Sequence, residues 1–283
     1  MNRAQSTISE ITTPIPQPLA PDSVAETGLD PQFMLRFILK SVYVTNLETA
    51  SALSDYIKLP ELVVNEVLES AKEKRLLEVL GLSDMRRGEY RYALTGVGRD
   101  WAVDALSQCS YVGPAPVPID AYRIQVAAQA ITRDQITPAA MASALGHLVL
   151  PPGTIDRLGP AANSAKAMLL YGAPGNGKTS IAMAIGTAFH QSIYLPWCIE
   201  ADGQIIRFYD PSVHQLDERE NEPVYGRERD PRWLHCHRPV IMTGGELTIE
   251  MLDLAFDPIS KFYEAPAHVK ATGGVFIADD LGR

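Results

Sequence analysis

The chain has few cysteines and no long apolar run, and both features restrict the cellular compartment and the class of protein to which it can belong. Among 283 residues there are three widely spaced cysteines, Cys109, Cys198 and Cys236, and no C-x-x-C pair. Separated thiols of this kind do not form a disulfide framework and are typical of a reducing compartment. No apolar run approaches the ~18 residues of a transmembrane helix. The N-terminus also lacks the charged-then-apolar pattern of a secretory signal. We therefore expect a cytoplasmic protein with no membrane partner.

The chain has fewer basic than acidic residues. The chain holds 25 Lys and Arg against 34 Asp and Glu, which gives a net charge of −9. This balance disfavours a general affinity for nucleic acid. The apolar content of 46% is ample for packed cores, and 283 residues allow two domains.

A phosphate-binding motif is the most informative stretch of the chain. Residues Gly172–Thr179 read Gly-Ala-Pro-Gly-Asn-Gly-Lys-Thr, a complete G-x-x-x-x-G-K-[ST] loop. The apolar run Ala167–Tyr171 before it suits a buried strand, and Ser180–Ile185 after it suits a helix. Glycines let backbone N–H groups surround phosphate oxygens, and a helix N-terminus adds partial positive charge. The pattern predicts a nucleotide-phosphate site.

The motif assigns a role to each of its polar side chains. We expect Lys178 to reach the β- and γ-phosphates and the Thr179 hydroxyl to ligate Mg²⁺. The predicted nucleotide-binding residues are Gly172, Ala173, Pro174, Gly175, Asn176, Gly177, Lys178, Thr179 and Ser180.

A second motif near the C-terminus supports the first. Residues Gly273–Asp280 form an apolar strand that ends in two carboxylates, as in a Walker B strand. We expect Asp279 to hold Mg²⁺ through water, and Asp280 to orient or activate the attacking water. Asp280 and Lys178 are the predicted catalytic residues, and Thr179 and Asp279 the predicted metal residues. The alternative, a strand ending in a solvated acidic turn, is less favoured beside a Walker A loop.

With these motifs the chain resembles the AAA+ ATPases over roughly residues 140–283. Ala271–Asp280 is similar to the Ala-x-Gly-Gly-apolar-acid-acid segment of MoxR-like and enhancer-activator branches, and Leu148–Pro151 resembles the family's adenine-side segment. The resemblance implies an α/β fold with a P-loop NTPase parallel sheet. It also implies ATP with Mg²⁺, homo-oligomeric rings, an arginine supplied by a neighbouring subunit, and hydrolysis that remodels a protein or nucleic acid.

Two departures from the family pattern limit the expected activity. Asp280 stands where most AAA+ proteins carry Glu, and a shorter acid places the water less well. Arg283 follows Asp280 by three residues, so the family's sensor-1 strand, arginine finger and helical lid are not in this sequence. We expect the core to be incomplete at its C-terminus and to hydrolyse ATP poorly alone, because groups that stabilise transition-state charge are missing.

The first 112 residues predict an arm and a small α+β domain. Residues 1–29 contain four prolines and few large apolar residues, which favours a disordered or extended arm. Residues 30–112 predict a winged-helix-like domain, and Leu94–Arg99 resembles the segment after the wing in many winged-helix regulators. Its predicted elements are helices at 31–43, 48–57 and 60–74, a hairpin of 76–80 with 90–94, and a helix from 100.

The charge of the third helix decides which partner is favoured for this domain. Residues 60–74 carry Glu61, Glu66, Glu69 and Glu73 against Lys72 and Lys74. A recognition helix instead needs basic or amide side chains that face bases and phosphates. We therefore favour a protein partner bound through residues 30–112. DNA binding, helped by Arg86, Arg87 and Arg91 in the wing, and a purely structural role remain alternatives.

Residues 113–147 predict a proline-rich linker with helices near 121–131 and 138–148, and residues 148–283 predict the nucleotide-binding core. Between the Walker motifs we expect strands at 192–197 and 238–243, a hairpin at 198–209 and a helix at 250–256. The charged stretch 216–233 is either an effector or pore loop or a solvated loop.

A zinc site is a minor alternative within this core. His235-Cys236-His237, with Cys198 and His214 elsewhere, contains zinc-type ligands in an unusual spacing. We favour ordinary loop and strand residues there.

The function favoured by the sequence is Mg-ATP hydrolysis coupled to remodelling of a protein. An ATP-controlled DNA-binding regulator and a nucleotide-binding scaffold that never hydrolyses are the alternatives. ATP is implied by the resemblance, since the loop itself recognises phosphates.

Overall fold

The computed structural model describes residues 15–83, 86, 88–217 and 228–280, which form a mixed α/β structure. Arg87, Arg283 and part of the predicted arm lie outside the described residues, as does most of the charged stretch at 216–233. The first unit has the following elements: α1 (Pro31–Thr45), α2 (Ala50–Ile57), α3 (Glu61–Glu73), β1 (Leu77–Leu82), β2 (Tyr90–Leu94) and α4 (Gly96–Gln108).

Local capping explains where these helices begin. The Asp30 carboxylate accepts hydrogen bonds from the N–H groups of Gln32 and Phe33 at the start of α1. Thr49 and Thr95 cap α2 and α4 in the same way. The inward faces pack into one apolar core that includes Phe37, Leu53, Val64 and Leu68. The predicted order of three helices, a hairpin and a further helix is therefore confirmed.

Part of the segment before α1 lies against the rest of the chain. Within residues 15–29, Val24 is buried and donates its N–H to the Glu66 carboxylate of α3 at 2.8 Å. The Ala20 N–H donates to the carbonyl of Glu228, and the Asp230 N–H donates to the carbonyl of Pro18. These bonds attach the segment to two distant parts of the sequence.

The remaining helices follow from residue 119. They are α5 (Ile119–Ala128), α6 (Pro138–Leu145), α7 (Thr154–Asn163), α8 (Lys178–Thr187) and α9 (Ala267–Lys270). The remaining strands are β3 (Val117–Pro118), β4 (Ile193–Pro196), β5 (Cys198–Ala201), β6 (Gln204–Arg207), β7 (Trp233–Cys236), β8 (Val240–Thr243), β9 (Ala255–Asp257), β10 (Phe262–Glu264) and β11 (Val275–Ala278).

Four strands of a five-stranded mixed sheet lie between the two Walker motifs in sequence, and the fifth, β3, precedes the Walker A loop. The order of the sheet is β3-β5-β6-β10-β9, with the β3–β5 and β6–β10 pairs parallel and the other two pairs antiparallel. The predicted 198–209 hairpin is confirmed, and Asp202 and Gly203 turn it with φ of 51° and 77°. Cys198 and Ile205 belong to the core of the first unit, so this sheet packs directly against that unit.

Two smaller sheets carry the predicted strands at 192–197, 238–243 and 273–280. β4 pairs antiparallel with β7, and β8 pairs parallel with β11. Helix α8 packs on β8 and β11. Among the described residues, the parallel sheet that contacts α8 therefore consists of two strands, β8 and β11.

Two local predictions are wrong. Ala167–Tyr171, predicted as a buried strand, has no strand assignment and lies largely exposed, with Tyr171 at 89%. A strand needs a hydrogen-bonded neighbour, and within the described ranges β11 pairs with β8 alone. Residues 250–256, predicted as a helix, form a short 3-10 turn at Glu250–Leu252 before β9, because pairing with β10 overrides the local helical preference.

Over the residues that the structure describes, none of the helices has the length and apolar character required to cross a membrane.

Candidate nucleotide-phosphate site

The loop at 172–177 turns directly into helix α8. Gly175 and Gly177 have φ of 82° and 70°, in the left-handed region that glycine adopts without a steric penalty. A Cβ built at either position meets no atom within 4 Å. These glycines are therefore required by backbone conformation rather than by crowding. Ala173, Pro174 and Asn176 lie exposed in the same loop.

Lys178 is the first residue of α8 and its side chain folds back over the loop. Its Nζ donates to the carbonyl oxygens of Gly172, at 3.2 Å, and Ala173, at 3.1 Å. The ammonium group and the positive end of the helix dipole thus lie on the same side of the loop. Both favour an anion there, and phosphate oxygens are better partners for the ammonium than neutral carbonyls.

Thr179 joins the two Walker motifs. Its Oγ1 donates to Oδ2 of Asp279 at 2.7 Å, across 100 positions of sequence. Asp279 is held in place by its own N–H, which donates to the carbonyl of Thr243 at 2.8 Å and continues the β8–β11 ladder by one residue. The first turn of α8 and the carboxyl end of β11 therefore meet at one point.

Asp280 lies beside this contact, exposed to solvent. Its backbone has φ of 53°, a conformation that Asp tolerates better than most residues. Its N–H donates to Oδ1 of Asp279 at 3.0 Å. The two oxygens of Asp279 therefore accept from Thr179 on one side and from Asp280 on the other.

A cavity of about 460 Å³ opens next to these residues. Lys178, Thr179 and Asp279 line it on one side. The residues on its apolar walls include Met168, Leu169, Leu170, Val275, Phe276 and Ile277. Concave and mostly apolar sites of this size, with a few convergent polar groups, are typical of small-molecule binding.

The oxygen atoms at Thr179 and Asp279 fit Mg²⁺. Hydroxyl and carboxylate oxygens are the hard ligands that this ion takes, and it usually combines one or two carboxylates with substrate phosphates. Within the described ranges, no group of three or more His, Cys, Asp or Glu side chains is arranged to hold a metal. The segment considered for zinc lies largely in β7, where burial raises the pKa of the Cys236 thiol to about 12.

Arg238 supports the site, a role that no sequence motif indicates. Its buried guanidinium pairs with Asp134 at 2.9 Å and donates to the backbone carbonyls of Gln129 and Gly273. Gly273 lies two residues before β11, so the arginine fixes the start of the strand that leads to Asp279. Burial lowers the pKa of Arg238, although Asp134 opposes the shift. In sequence, Arg238 lies in a polar run between two short strands, which resembles an ordinary surface segment.

Comparison with known proteins gives no relative from which a role could be transferred. No protein-family model matches the chain, and no curated protein matches it. The structure itself brings Lys178, Thr179 and Asp279 to one cavity and places Asp280 next to them. Ser180 lies exposed on the first turn of α8.

Proposed function

We propose that the chain is a P-loop nucleotide-binding protein of the AAA+ type that binds ATP with Mg²⁺. The observation that carries this proposal is the 2.7 Å hydrogen bond between Thr179 and Asp279. Two motifs that are distant in sequence meet at the two atoms that a shared Mg²⁺ requires. Residues 30–112 form its winged-helix-like domain, which recruits a protein partner, and hydrolysis remodels that partner.

Each polar residue has a distinct task in this proposal. The loop amides and Lys178 hold the phosphates, and the Thr179 hydroxyl and Asp279 carboxylate hold Mg²⁺. The bound ion neutralises charge on the phosphates. Asp280 orients a water molecule towards the γ-phosphate. As in the AAA+ proteins that the chain resembles, an arginine from a neighbouring subunit of a ring completes the site.

A titration of the chain with Mg-ATP tests this proposal directly. We expect saturable binding that Lys178→Ala weakens by about tenfold or more, because the ammonium group contributes a charge-assisted bond to phosphate. Lys74→Ala, the same loss of charge at the exposed end of α3, is the matched control and should bind like the parent chain. Equal affinity for all three proteins would remove the proposed site.

A nucleotide-binding scaffold that does not hydrolyse is the second candidate. Among the described residues that line the cavity, the positive charge comes from Lys166 and Lys178, and no arginine contributes. Arginine is a common stabiliser of transition-state charge in phosphoryl transfer. Release of inorganic phosphate at saturating Mg-ATP separates the two candidates: turnover that Asp280→Asn abolishes supports the ATPase, and binding without turnover supports the scaffold.

A DNA-binding regulator is less favoured by the contacts around α3. Arg86, one of the wing arginines, is paired with Glu61 of α3 at 2.7 Å. Its charge is thus directed towards the acidic helix. Salt-dependent binding to a random DNA duplex, lost on Arg91→Ala, would restore this alternative.

A further inference from the structure

A run of exposed apolar side chains lies between β8 and β10. Every residue from 248 to 259 is exposed, and we refer to this stretch as segment 248–259. Ile249 and Ile259 are the most exposed of its large apolar residues, at 80% and 89%. The others are Met251, Leu252, Leu254 and Phe256. Single exposed apolar residues are normal in proteins, but a continuous group marks an interaction surface.

The middle of this segment is an edge strand. β9 pairs antiparallel with β10 through Ala255, Phe256 and Asp257. It is the last strand in the order β3-β5-β6-β10-β9, and no other strand of the described chain pairs with its far side. An edge strand presents unpaired N–H and C=O groups, to which an extended peptide can add as a further strand. The segment therefore offers both backbone partners and apolar contacts.

The charge of the segment indicates which peptide it accepts. Between residues 246 and 260 the sequence contains Glu246, Glu250, Asp253 and Asp257 and no lysine or arginine. The nearby Lys261 points its ammonium to the carbonyl of Ser107, in the first unit. Opposite charges across paired strands are favourable and like charges are not. The surface thus complements a basic and apolar strand.

We propose that β9 and segment 248–259 bind an extended protein segment of alternating basic and apolar residues as an added strand. A second copy of this chain is a poorer occupant, because pairing β9 with itself would bring Asp253 and Asp257 of the two copies together. The proposal goes beyond nucleotide binding and does not require it. If the chain is also an ATPase, this edge is a second protein-binding surface, separate from the partner site at residues 30–112.

Fluorescence anisotropy with a labelled peptide tests the docking surface. The probe is a ten-residue peptide of alternating Lys and Val, and the matched control peptide alternates Glu and Val, both at ~150 mM salt. We expect saturable binding of the basic probe alone. Ile259→Asp and Asp253→Lys should each weaken it by about tenfold. Both residues are exposed, so neither change should disturb the core, and thermal unfolding checks this.

Control substitutions on α3 separate this surface from the acidic helix. Leu62→Asp replaces another exposed apolar residue, and Glu73→Lys reverses another exposed acid. We expect both variants to bind the probe like the parent chain. Equal loss in these controls would show binding by overall charge and would overturn the proposal.

Three further results would also overturn it. These are unchanged binding in Ile259→Asp and Asp253→Lys, equal binding of the Glu-Val peptide, and self-association of the chain that Ile259→Asp abolishes. Mg-ATP titration of the same variants distinguishes failure of the docking proposal from failure of the nucleotide-binding proposal. Peptide binding without ATP binding would remove the ATPase assignment alone, whereas ATP binding without peptide binding would remove the docking surface alone.

Discussion

At the scale of single residues, one hydroxyl group connects the two halves of the candidate site. Thr179 lies in the first turn of α8, and its partner Asp279 lies one residue beyond β11. A Walker A threonine and a Walker B aspartate have no local reason to be close, because they are 100 positions apart in sequence. Their contact depends on α8 packing against β8 and β11.

Replacing this threonine should selectively weaken the magnesium-dependent part of nucleotide binding. Thr179→Val keeps the shape of the side chain but loses the oxygen, so we expect affinity for Mg-ATP to fall by about tenfold. Affinity measured with excess chelator should change little. Thr179→Ser retains the hydroxyl and should behave like the parent chain. The same loss of affinity with and without magnesium would contradict the metal role.

His214 is a buried residue whose neutral form is built into the fold. Its Nδ1 accepts from the N–H of Asp210 at 3.0 Å, and its Nε2 contacts the carbonyl of Lys270 at 2.9 Å. The ring stacks on Phe208 and Tyr209. Burial lowers the pKa of His214, while the Lys270 carbonyl and the Asp210 carboxylate partly oppose the shift. Protonation would remove the acceptor that the Asp210 N–H needs.

This arrangement predicts a loss of stability in mild acid. Because the folded pKa is lowered, the unfolded chain takes up the proton first as pH falls below about 6.5. The contribution of neutral His214 to the free energy of unfolding is therefore complete above that pH. Below it, the free energy of unfolding falls by at most about 1.4 kcal/mol per pH unit. Urea unfolding at about pH 7.5 and about pH 5.5 measures the difference. The difference in stability between the two pH values should be smaller in His214→Phe than in the parent chain. The same difference in both proteins would contradict this role of His214.

At the scale of secondary structure, the strand carrying the Walker B acid is held by close backbone packing. A Cβ at Gly274, just before β11, would lie 2.0 Å from the carbonyl oxygen of Pro239. That atom belongs to the backbone and cannot rotate away. Gly274 is therefore required by proximity, unlike Gly175 and Gly177 in the loop.

Gly274→Ala should damage both stability and the site. We expect a loss of about 1–3 kcal/mol or more, because overpacking displaces β11. Weaker Mg-ATP binding should accompany it, since Asp279 follows the strand. Gly96→Ala is the matched control, because its Cβ meets nothing within 4 Å and it lies at the start of α4. It should leave binding unchanged and improve stability by up to about 1 kcal/mol. Equal stability of the two variants would contradict the packing argument.

The elements also show where sequence patterns are sufficient and where they fail. Helices α1 and α3 follow from apolar spacing, with a local Asp30 cap at the start of α1, and the structure confirms them. Residues 167–171 have the composition of a strand, but composition cannot supply a hydrogen-bonded neighbour. Residues 250–256 have helical composition, yet two of them, Ala255 and Phe256, pair with β10. Both errors arise where long-range pairing decides the outcome.

At the scale of the whole molecule, a buried ion pair ties three distant segments together. Arg232 and Asp230 are paired at 2.8 Å, with both side chains almost fully buried. The guanidinium also donates to the backbone carbonyls of Thr27 and Pro116. One side chain from the stretch between the Walker motifs thus binds the segment before α1 and the segment before β3.

Removing one member of this pair should be strongly destabilising. Arg232→Met leaves the Asp230 carboxylate buried without its cation, and we expect a loss of about 3–5 kcal/mol in urea unfolding. Adding Asp230→Asn should recover part of that loss, because the orphaned charge is then gone. Arg123→Met, which breaks an exposed pair with Asp120, should change stability by less than about 1 kcal/mol. A similar loss in both single variants would refute the prediction.

Local sequence patterns are sufficient to identify the chemistry of the candidate site. The glycines, Lys178 and Thr179 are recognisable because phosphate binding requires these residue types at a fixed local spacing. Asp279 and Asp280 are recognisable because two acids at the end of an apolar strand are costly without a cation or donors. Caps and apolar periodicity likewise act over a few residues. All of these signals arise between residues close in sequence, so a single sequence is sufficient to recognise them.

The tertiary structure determines how these parts are brought together. It placed Thr179 against Asp279 and used Arg238 to fix the start of β11. It also packed the five-stranded sheet against the first unit and left segment 248–259 exposed at the edge of that sheet. The physical reason is that strand pairing, buried ion pairs and close backbone approach depend on residues distant in sequence, whose proximity no local pattern encodes.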